Sequence, residues 1–421
     1  MTILIRQARV VSEKSEHHGK TMDLLIEGGQ ITAIKKSLPV SAGAKVIEAE
    51  GLCVSEGWFD LQVISGEPGF EHRETLDSLI KSAAAGGFTG LCLHSNNQPA
   101  FDNKAQIEYL LTKSRNKVVD VFPLGTITVG GKGKDLSEMY DMKQAGAIAF
   151  SDYKHGLQDS GMVLRALQYS AGIGSFIMVH CQDESLTHGG QMNEGETSTM
   201  LGLKGMPALA EEIVLERNLS LLEYSGGKMH VPCISSKGSV ELIRKAKSAG
   251  LKVTCGVAAA NLFLDETALK EFDSTLKINP PLRSKKDQLA LRNALENGTI
   301  DVIVSDHCPL DTEAKELEFD LAEFGMLGLQ TAFSIALEGL KEKNINAIVR
   351  ALTTGPRTIL GLEQQGIAEN QSANLTLFTL SGKTVLTEKN NVSKSANSPF
   401  FDQALSGSVI GIINGAKSHF N

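Results

Sequence analysis

Side chains that could bind a metal or move a proton follow several strand-like, apolar segments of this sequence. His180, Cys233 and Asp306 each end or follow such a segment. Imidazole, thiolate and carboxylate groups are all zinc ligands, and a carboxylate can also act as a general base toward a metal-bound water. The residue types therefore indicate hydrolytic metal chemistry, provided that the fold brings these three side chains together.

The first strand-like segment, residues 57–69, lacks such ligands. Gln62 and Ile64 stand there at alternate positions, and side chains two residues apart on a strand share one face. Gln is a poor zinc ligand and Ile is none. The spacing of a two-residue metal clamp is present without its chemistry.

The elements that must position these residues are apolar segments that alternate with amphipathic, helix-like stretches such as residues 240–249 and 286–296. The apolar segments are residues 58–63, 91–93, 119–124, 147–150, 177–180, 229–234, 252–257 and 302–304. Continuous apolar strands that alternate with helices are typical of a parallel sheet, and eight of them predict a (β/α)₈ barrel. The active face of such a barrel lies at the carboxyl ends of its strands. The polar residues at those ends are Asn96, Asp152, His180, Cys233 and Asp306.

Both ends of the chain instead contain short strand-like runs separated by turn residues. These runs are residues 3–11, 22–27, 30–35 and 45–49 at one end, and 366–368, 373–378, 383–387 and 408–413 at the other. The N-terminal runs predict a small antiparallel unit. We therefore predict a small β-sandwich-like domain formed by residues 1–56 and 363–421, beside a barrel over residues 57–362.

Composition excludes some partners and compartments. The 421 residues carry a formal net charge of −8, which provides no basic footprint for nucleic acid. No apolar run approaches the length of a membrane span, and the N-terminus lacks the regions of a signal peptide, so we expect a cytoplasmic protein. The six cysteines are widely scattered without a C-x-x-C pair, which favours buried free thiols.

Several motifs together resemble the dihydroorotase branch of the cyclic amidohydrolases. They include Gly57–Gly69, Ala147–Tyr153, Val179–Asp183, His230–Ser235, Ile278–Arg283 and Val304–Leu310, and the resemblance covers essentially the whole chain. It implies an amidohydrolase-type barrel. In that family two zinc ions are held by a His-x-His pair, a bridging carboxylate, two later histidines and an aspartate that also serves as the general base.

The resemblance also shows which metal positions are changed. Only two of the six implied ligands are retained, His180 and Asp306, and the latter keeps the position of the catalytic base. The four changed positions are Gln62, Ile64, Tyr153 and Cys233. A phenol ionises near a pKa of ~10, so it cannot readily bridge two cations at neutral pH. We therefore expect no complete metal site and no cofactor, with one zinc ion as the alternative.

Positions around the implied metals are altered as well. The family's carboxylate-binding arginine corresponds to Gly66, and its final histidine corresponds to Leu310. Asn96 and Asn279 match retained substrate-binding positions.

Lys154 follows Tyr153, and a carboxylated lysine bridges metals in related amidohydrolases. A one-residue shift reverses side-chain direction on a strand, however, so we expect Lys154 to face away from the site. His94 and His155 should lie near the mouth of the barrel.

Three hypotheses follow. The first is a dihydroorotase-like protein without dihydroorotase activity, retained as a homo-oligomer and as a structural or regulatory partner of aspartate transcarbamoylase, a role that the resemblance suggests. The second is a cyclic amide hydrolase with a single metal held by His180, Cys233 and Asp306. The third is a sensor in which Asn96 and Asn279 bind a small molecule. Residues that fill the old metal position would favour the first hypothesis, and an open polar pocket there would favour the second.

Overall fold

The computed structural model describes residues 2–341, 344–364 and 366–421. The strands of this part of the chain are β1 (Thr2–Val10), β2 (Thr21–Glu27), β3 (Gln30–Lys35), β4 (Lys45–Ile47), β5 (Leu52–Glu56), β6 (Trp58–Val63), β7 (Phe88–Leu93), β8 (Asp120–Gly125), β9 (Ala149–Phe150), β10 (Ile177–Met178), β11 (Met192–Asn193), β12 (Gly205–Met206), β13 (Met229–Val231), β14 (Val253–Ala258), β15 (Val302–Val304), β16 (Asn374–Val385), β17 (Ala404–Asn414) and β18 (Lys417–Phe420).

Helices connect most of the barrel strands and follow the last of them. They are α1 (Leu76–Ala85), α2 (Lys104–Ser114), α3 (Met139–Ala145), α4 (Ser160–Gly172), α5 (Glu184–Thr187), α6 (Glu196–Leu201), α7 (Ala208–Ser225), α8 (Lys237–Ser248), α9 (Ala259–Phe263), α10 (Lys285–Glu296), α11 (Thr312–Lys315), α12 (Ala332–Leu340), α13 (Ile345–Leu352) and α14 (Thr354–Leu360). Short 3₁₀ turns lie at Val129–Gly131, Glu266–Glu271 and Ser274–Leu276.

Eight parallel strands form the barrel, in the order β6, β7, β8, β9, β10, β13, β14, β15. The sheet closes where Val63 pairs in parallel with His307. Buried Asp60 ties the two ends together, because its carboxylate accepts hydrogen bonds from the N–H groups of Gln62 and Ser305, each at 2.9 Å. Every apolar segment that the sequence assigned to the barrel contributes a strand to it. The predicted fold class is confirmed.

The helix starts follow from local sequence. The hydroxyl of Ser236 accepts the Ser239 N–H at 2.9 Å and begins α8. The hydroxyl of Ser284 does the same for Asp287 at the start of α10. These two helices coincide with predicted amphipathic stretches, and both bury an apolar face against neighbouring elements. Such packing fixes the strands and therefore the loops at their carboxyl ends.

The two ends of the chain meet in one mixed sheet, in the order β18, β17, β16, β5, β1, β2, β3, with β4 also beside β1. Most pairs are antiparallel, but β1 pairs in parallel with both β4 and β5. The predicted antiparallel N-terminal unit holds for β1, β2 and β3, whereas the parallel pairing of β4 with β1 departs from it. The chain crosses back after β3, so the strands that follow it run beside β1 in the same direction.

Residues 366–368, which the sequence predicted as a strand, do not form one. Ile367 is nevertheless buried, and its carbonyl oxygen accepts a hydrogen bond from the Ser15 hydroxyl at 2.6 Å. The apolar residue in this short segment signalled burial, not strand pairing. The sequence also missed β5, which lies between β1 and β16.

All six cysteines are buried as thiols, as predicted. Within the described ranges, no helix combines the length and the apolar character needed to cross a membrane.

Candidate functional site

The residues at the implied metal positions come from separate strand ends. Ile64 follows β6, Tyr153 lies three residues beyond β9, and His180 lies two residues beyond β10. Cys233 lies two residues beyond β13, and Asp306 lies two residues beyond β15. Because all these strands are parallel neighbours in one closed barrel, their carboxyl ends face a common mouth.

Apolar side chains fill part of this mouth. One buried cluster consists of Ile64, Tyr153, Cys308, Leu310 and Ala314. Two of its members occupy positions where the family resemblance implies a histidine, namely Ile64 and Leu310. Close packing of such side chains excludes water, and the aliphatic members Ile64, Leu310 and Ala314 provide no ligand for a cation. We call these five residues the apolar plug.

Tyr153 belongs to this plug in a neutral form. Burial raises the pKa of its phenol well above the ordinary value of 10.0. Its ring packs against the buried His94 ring with centroids 5.6 Å apart. A phenol that holds its proton this firmly cannot take over the bridging role of a carboxylate between two cations.

Lys154 supplies a cation next to the plug. Its Nζ donates a hydrogen bond to Asp306 Oδ2 at 2.8 Å, and the two side chains are only 13% and 8% exposed. Burial alone would lower the pKa of Lys154, but Asp306, together with smaller contributions from Cys308 and Cys233, outweighs burial and raises that pKa. Burial raises the pKa of Asp306, and Lys154 opposes the rise. The contact has the geometry of a charge-assisted hydrogen bond, which is stronger than its neutral counterpart.

The prediction that Lys154 faces away from the site is wrong. Strand alternation would require an extended backbone through this segment, but β9 ends at Phe150. Tyr153 then adopts φ +56°, in the left-handed region. This turn directs Tyr153 and Lys154 to the same mouth. Burial lowers the pKa of both His94 and His180 to about 4, and the Lys154 charge adds to this effect.

Gln62 lies beside this ion pair. It is buried, its side-chain oxygen has no hydrogen-bond partner among the described residues, and its side chain opposes the rise that burial causes in the pKa of Asp306. Gln62 therefore interacts with Asp306 as a neutral amide.

The other two candidate ligands are buried without forming a metal site. The Nε2 atom of His180 lies 3.3 Å from Gln182 Oε1, and burial lowers the pKa of His180 to about 4. Cys233 packs among apolar residues that include Phe59 and Leu61, and burial raises the pKa of its thiol well above the ordinary value. The interpretation of Cys233 as a small buried thiol fits these surroundings.

These side chains do not fit the zinc site that the resemblance implies. The Lys154 ammonium occupies one oxygen of Asp306, and Ile64 offers no lone pair. Over residues 2–341, 344–364 and 366–421, no group of three or more His, Cys, Asp or Glu side chains is placed to hold a metal ion. His180, Cys233 and Asp306 are therefore not gathered into such a group.

The position of the family's arginine is closed to any side chain. Gly66 donates its N–H to the Glu74 carbonyl at 2.9 Å, and its own carbonyl accepts the Phe70 N–H at 2.6 Å. A Cβ atom at Gly66 would lie 1.9 Å from the Phe70 carbonyl oxygen. The loop after β6 therefore leaves no space at position 66 for the arginine that the resemblance implies.

The two retained asparagines are not brought together. Asn96 lines a cavity of about 410 Å³ that is also lined by His155, and Asn279 lines a different cavity of about 450 Å³. The side-chain oxygen of Asn279 is buried without a hydrogen-bond partner in the described part of the chain. The predicted position of His94 and His155 near the mouth agrees with their contacts with Tyr153 and with the Asn96 cavity.

Arg283 shows what the motif around Asn279 does for the fold. Its Nη1 atom donates to Asn193 Oδ1 at 2.9 Å and to the Met206 carbonyl at 2.6 Å, and its Nε donates to Ser235 Oγ at 3.0 Å. These bonds join three loops at the barrel mouth. They agree with the interpretation that the motif sets loop geometry.

Sequence reasoning missed the ion pair, the plug residue Cys308 and the cavity residue Thr126. The sequence did offer one signal for the ion pair, because Lys154 directly follows a position that the family reserves for a metal bridge. A lysine side chain can reach across a site from a turn. No comparable signal pointed to Cys308 or Thr126.

Comparisons with known proteins agree with the architecture. A family model described as dihydro-orotase-like matches residues 51–239. The chain is 38% identical to a dihydroorotase of Trichlorobacter lovleyi over 424 residues, with 100% of both chains covered. It is 39% identical to a dihydroorotase of Acetivibrio thermocellus over 411 residues, with 97% of this chain and 96% of the relative covered.

Solved structures show the same fold at lower identity. The L-hydantoinase (dihydropyrimidinase) of Arthrobacter aurescens superposes with a TM-score of 0.84 at 23% identity, covering 99% of this chain and 95% of its own. The dihydropyrimidinase of Brevibacillus agri gives a TM-score of 0.82 at 22% identity, covering 99% and 95%. The barrel is thus shared across cyclic amidohydrolases, and the full-length identity to two dihydroorotases shows that this chain belongs to the dihydroorotase family.

Proposed function

We propose that this protein is a dihydroorotase homologue without dihydroorotase activity, retained in pyrimidine synthesis as a structural or regulatory partner of aspartate transcarbamoylase. One observation carries the proposal. Where the family resemblance implies zinc, the structure has the apolar plug and an ammonium group 2.8 Å from Asp306. A general base without a metal-bound water and a polarised carbonyl has nothing to activate.

The retained scaffold supports the same proposal. The Arg283 hydrogen bonds hold the loops at the mouth, and Asp60 ties β6 to the segment after β15. Altered ligand positions beside an intact hydrogen-bond network fit a chain that keeps its shape without the metal chemistry. Within the family, such a shape has a use as a partner of the transcarbamoylase.

An exposed apolar face on α7 supports a role in protein contacts. Leu209, Ile213 and Tyr224 are spaced so that they lie on one side of the helix. All three are exposed, and Tyr224 is 77% exposed. Leu209 and Ile213 lie one turn apart, and exposed apolar side chains that lie together on a helix favour a contact with a protein partner. This face is a candidate contact in a homo-oligomer or in a complex with the transcarbamoylase.

The proposal predicts no turnover and a physical complex. Purified protein supplied with zinc should not hydrolyse dihydroorotate above the rate in buffer, because no water is activated. In sedimentation velocity, the protein mixed with aspartate transcarbamoylase of the same organism should form a faster species than either alone. An Ile213→Glu variant tests the α7 face, and Leu289→Glu, the same kind of change at an exposed apolar residue of α10, is its control.

Two results would contradict the proposal. Turnover comparable to that of the Trichlorobacter lovleyi relative would restore the enzyme hypothesis. Two independent sedimenting species at micromolar concentrations would remove the partner role. For the single-metal hydrolase, the decisive variant is Cys233→Ala, which should abolish both bound metal and activity if that hypothesis holds. The sensor hypothesis requires Asn96 and Asn279 to act on separate ligands, since they line different cavities.

A further inference from the structure

The connection between β16 and β17 is a loop whose two ends lie together. Leu386 and Phe401 form a parallel bridge, and the Asp402 N–H donates to the Leu386 carbonyl at 2.7 Å. Leu386 and Phe400 are both buried, so the base of the loop is anchored in the core. Surface loops with a closed base are compact units and are frequently functional. We call residues 387–400 the strap.

One side of the strap lies against the loop that follows β6. The Ser393 hydroxyl donates to Glu74 Oε2, and the Ser395 hydroxyl donates to the Arg73 carbonyl at 2.8 Å. Glu74 is 0% exposed, so Ser393 helps to cover a carboxyl group that water would otherwise solvate. Burial of such a group opposes folding. Water that enters when Ser393 leaves would therefore partly compensate for the lost hydrogen bond.

Asn397 fastens the other side of the strap to the apolar plug. Its Nδ2 atom donates to the Cys308 carbonyl at 2.9 Å and to the Gly325 carbonyl at 3.2 Å, and its Oδ1 atom accepts the Leu310 N–H at 3.1 Å. Its own carbonyl accepts the Leu327 N–H at 3.0 Å. One buried side chain thus joins two plug residues to the segment that begins at Gly325.

Gly325 covers the Cys308 thiol. A Cβ atom at Gly325 would lie 2.5 Å from Cys308 Sγ and 2.9 Å from Leu310 Cδ1, so the backbone here packs directly against both plug side chains. The Gly325 N–H donates to the Lys277 carbonyl at 2.9 Å, and its carbonyl is held by Asn397. Release of Asn397 leaves this cover tethered on one side only.

The strap is held to these loops mainly by hydrogen bonds. Residues 393–398 read Ser-Lys-Ser-Ala-Asn-Ser, a run without a large apolar side chain. Segments of this kind open at free energies well below that of global unfolding. The base differs, because the Phe400 ring packs near the Phe263 ring with centroids 6.4 Å apart. The strap can therefore lift while its base stays in the core.

We propose that the strap is a latch for the apolar plug. It lifts as a local unit about its anchored base, and its release exposes the plug at the Cys308 thiol without unfolding the barrel. The barrel mouth then has a closed and an open arrangement, and any molecule that binds the open one better shifts the balance toward it. The latch depends neither on a bound metal nor on the transcarbamoylase partner.

Thiol labelling of the full chain with iodoacetamide, followed by peptide mass spectrometry, measures this opening. Cys308 reports on the plug, and Cys255, which is 0% exposed in β14, reports on unfolding of the barrel. Cys308 should react about tenfold faster than Cys255 or more, because a local opening is more frequent than global unfolding. Its rate should change little up to about 2 M urea, whereas the Cys255 rate should rise steeply, since a local opening exposes little surface.

Variants of the strap test its contacts. Asn397→Ala should speed the labelling of Cys308 by about tenfold or more, because it removes three hydrogen bonds that close the plug. Ser393→Ala is a milder second variant, with an expected increase of about threefold. Lys389→Ala is the control, because Lys389 is an exposed strap residue that precedes the contacts with the barrel loops. This control should show the Cys308 rate of the unaltered protein.

Ile243→Val separates the latch from global stability. Ile243 is 0% exposed in α8, and loss of its methyl group should speed Cys255 by about two- to tenfold while leaving Cys308 unchanged. The proposal is overturned if this variant speeds both thiols equally, since the plug would then open only when the barrel unfolds. It is also overturned if Ser393→Ala and a folded Asn397→Ala protein both leave the Cys308 rate unchanged. If Asn397→Ala does not fold, Ser393→Ala alone decides.

Discussion

Replacing Lys154 by methionine should lower the free energy of unfolding by about 3 to 5 kcal/mol, measured by urea denaturation at neutral pH. The change leaves the Asp306 carboxylate buried without the ammonium that lies 2.8 Å from it. Stability is lost because an isolated buried charge is far more costly than a buried pair. The loss should be among the largest of any single change at the barrel mouth.

Two further variants make this result specific. Lys154→Met combined with Asp306→Asn removes both charges and should recover at least half of the loss, and asparagine tolerates the left-handed φ of +52° at this position. Lys104→Met breaks an exposed pair with Glu108 and should change stability by less than about 0.5 kcal/mol. If Lys154→Met alone changed stability by less than about 1 kcal/mol, Lys154 would not be the cation that balances Asp306.

Replacing Gly66 by alanine should lower the free energy of unfolding by about 3 kcal/mol, because a single added carbon overpacks the loop. The added Cβ would lie closest to backbone atoms, 1.9 Å from the Phe70 carbonyl oxygen and 2.8 Å from the Glu74 carbonyl oxygen. Backbone atoms cannot move aside as the tip of a side chain can. Reintroducing the family's arginine at this position should therefore destabilise the protein without restoring a carboxylate-binding site.

The control for Gly66 is Gly172, at the end of α4, where an added Cβ would meet no atom within 4 Å. Gly172→Ala should leave stability unchanged or raise it by up to about 1 kcal/mol, since alanine favours helices. Equal stability of the Gly66→Ala and Gly172→Ala proteins in urea would show that the loop after β6 can open, and the arginine position would then be accessible.

The barrel could be predicted from sequence because buried parallel strands leave continuous apolar runs. Even β9 and β10, which pair over only two residues each, lay inside such runs. The sheet formed by the chain ends was harder to predict, since its pairing joins residues far apart in sequence. Leu375, for example, pairs with Glu56, and no local pattern specifies that partner.

The composition of the site was also readable from sequence, but its geometry was not. Residue types at positions 62, 64, 153 and 233 indicated altered chemistry, and the packing of Ile64 with Tyr153 is consistent with that. The Lys154–Asp306 contact depends on a left-handed turn at Tyr153. Tyrosine rarely adopts this conformation, and the neighbouring residues do not predict it. The hydrogen bonds of Asn397 to Cys308 and Leu310 join residues far apart in sequence, and no local pattern specifies them.

Bound zinc tests the central claim most directly. The purified protein and the Trichlorobacter lovleyi dihydroorotase would be equilibrated with excess zinc, passed through gel filtration, and analysed for metal by inductively coupled plasma mass spectrometry. With the apolar plug and the Lys154 ammonium at the metal positions, this protein should retain far less than one zinc ion per chain. Retention of one or more zinc ions per chain by this protein would contradict the account.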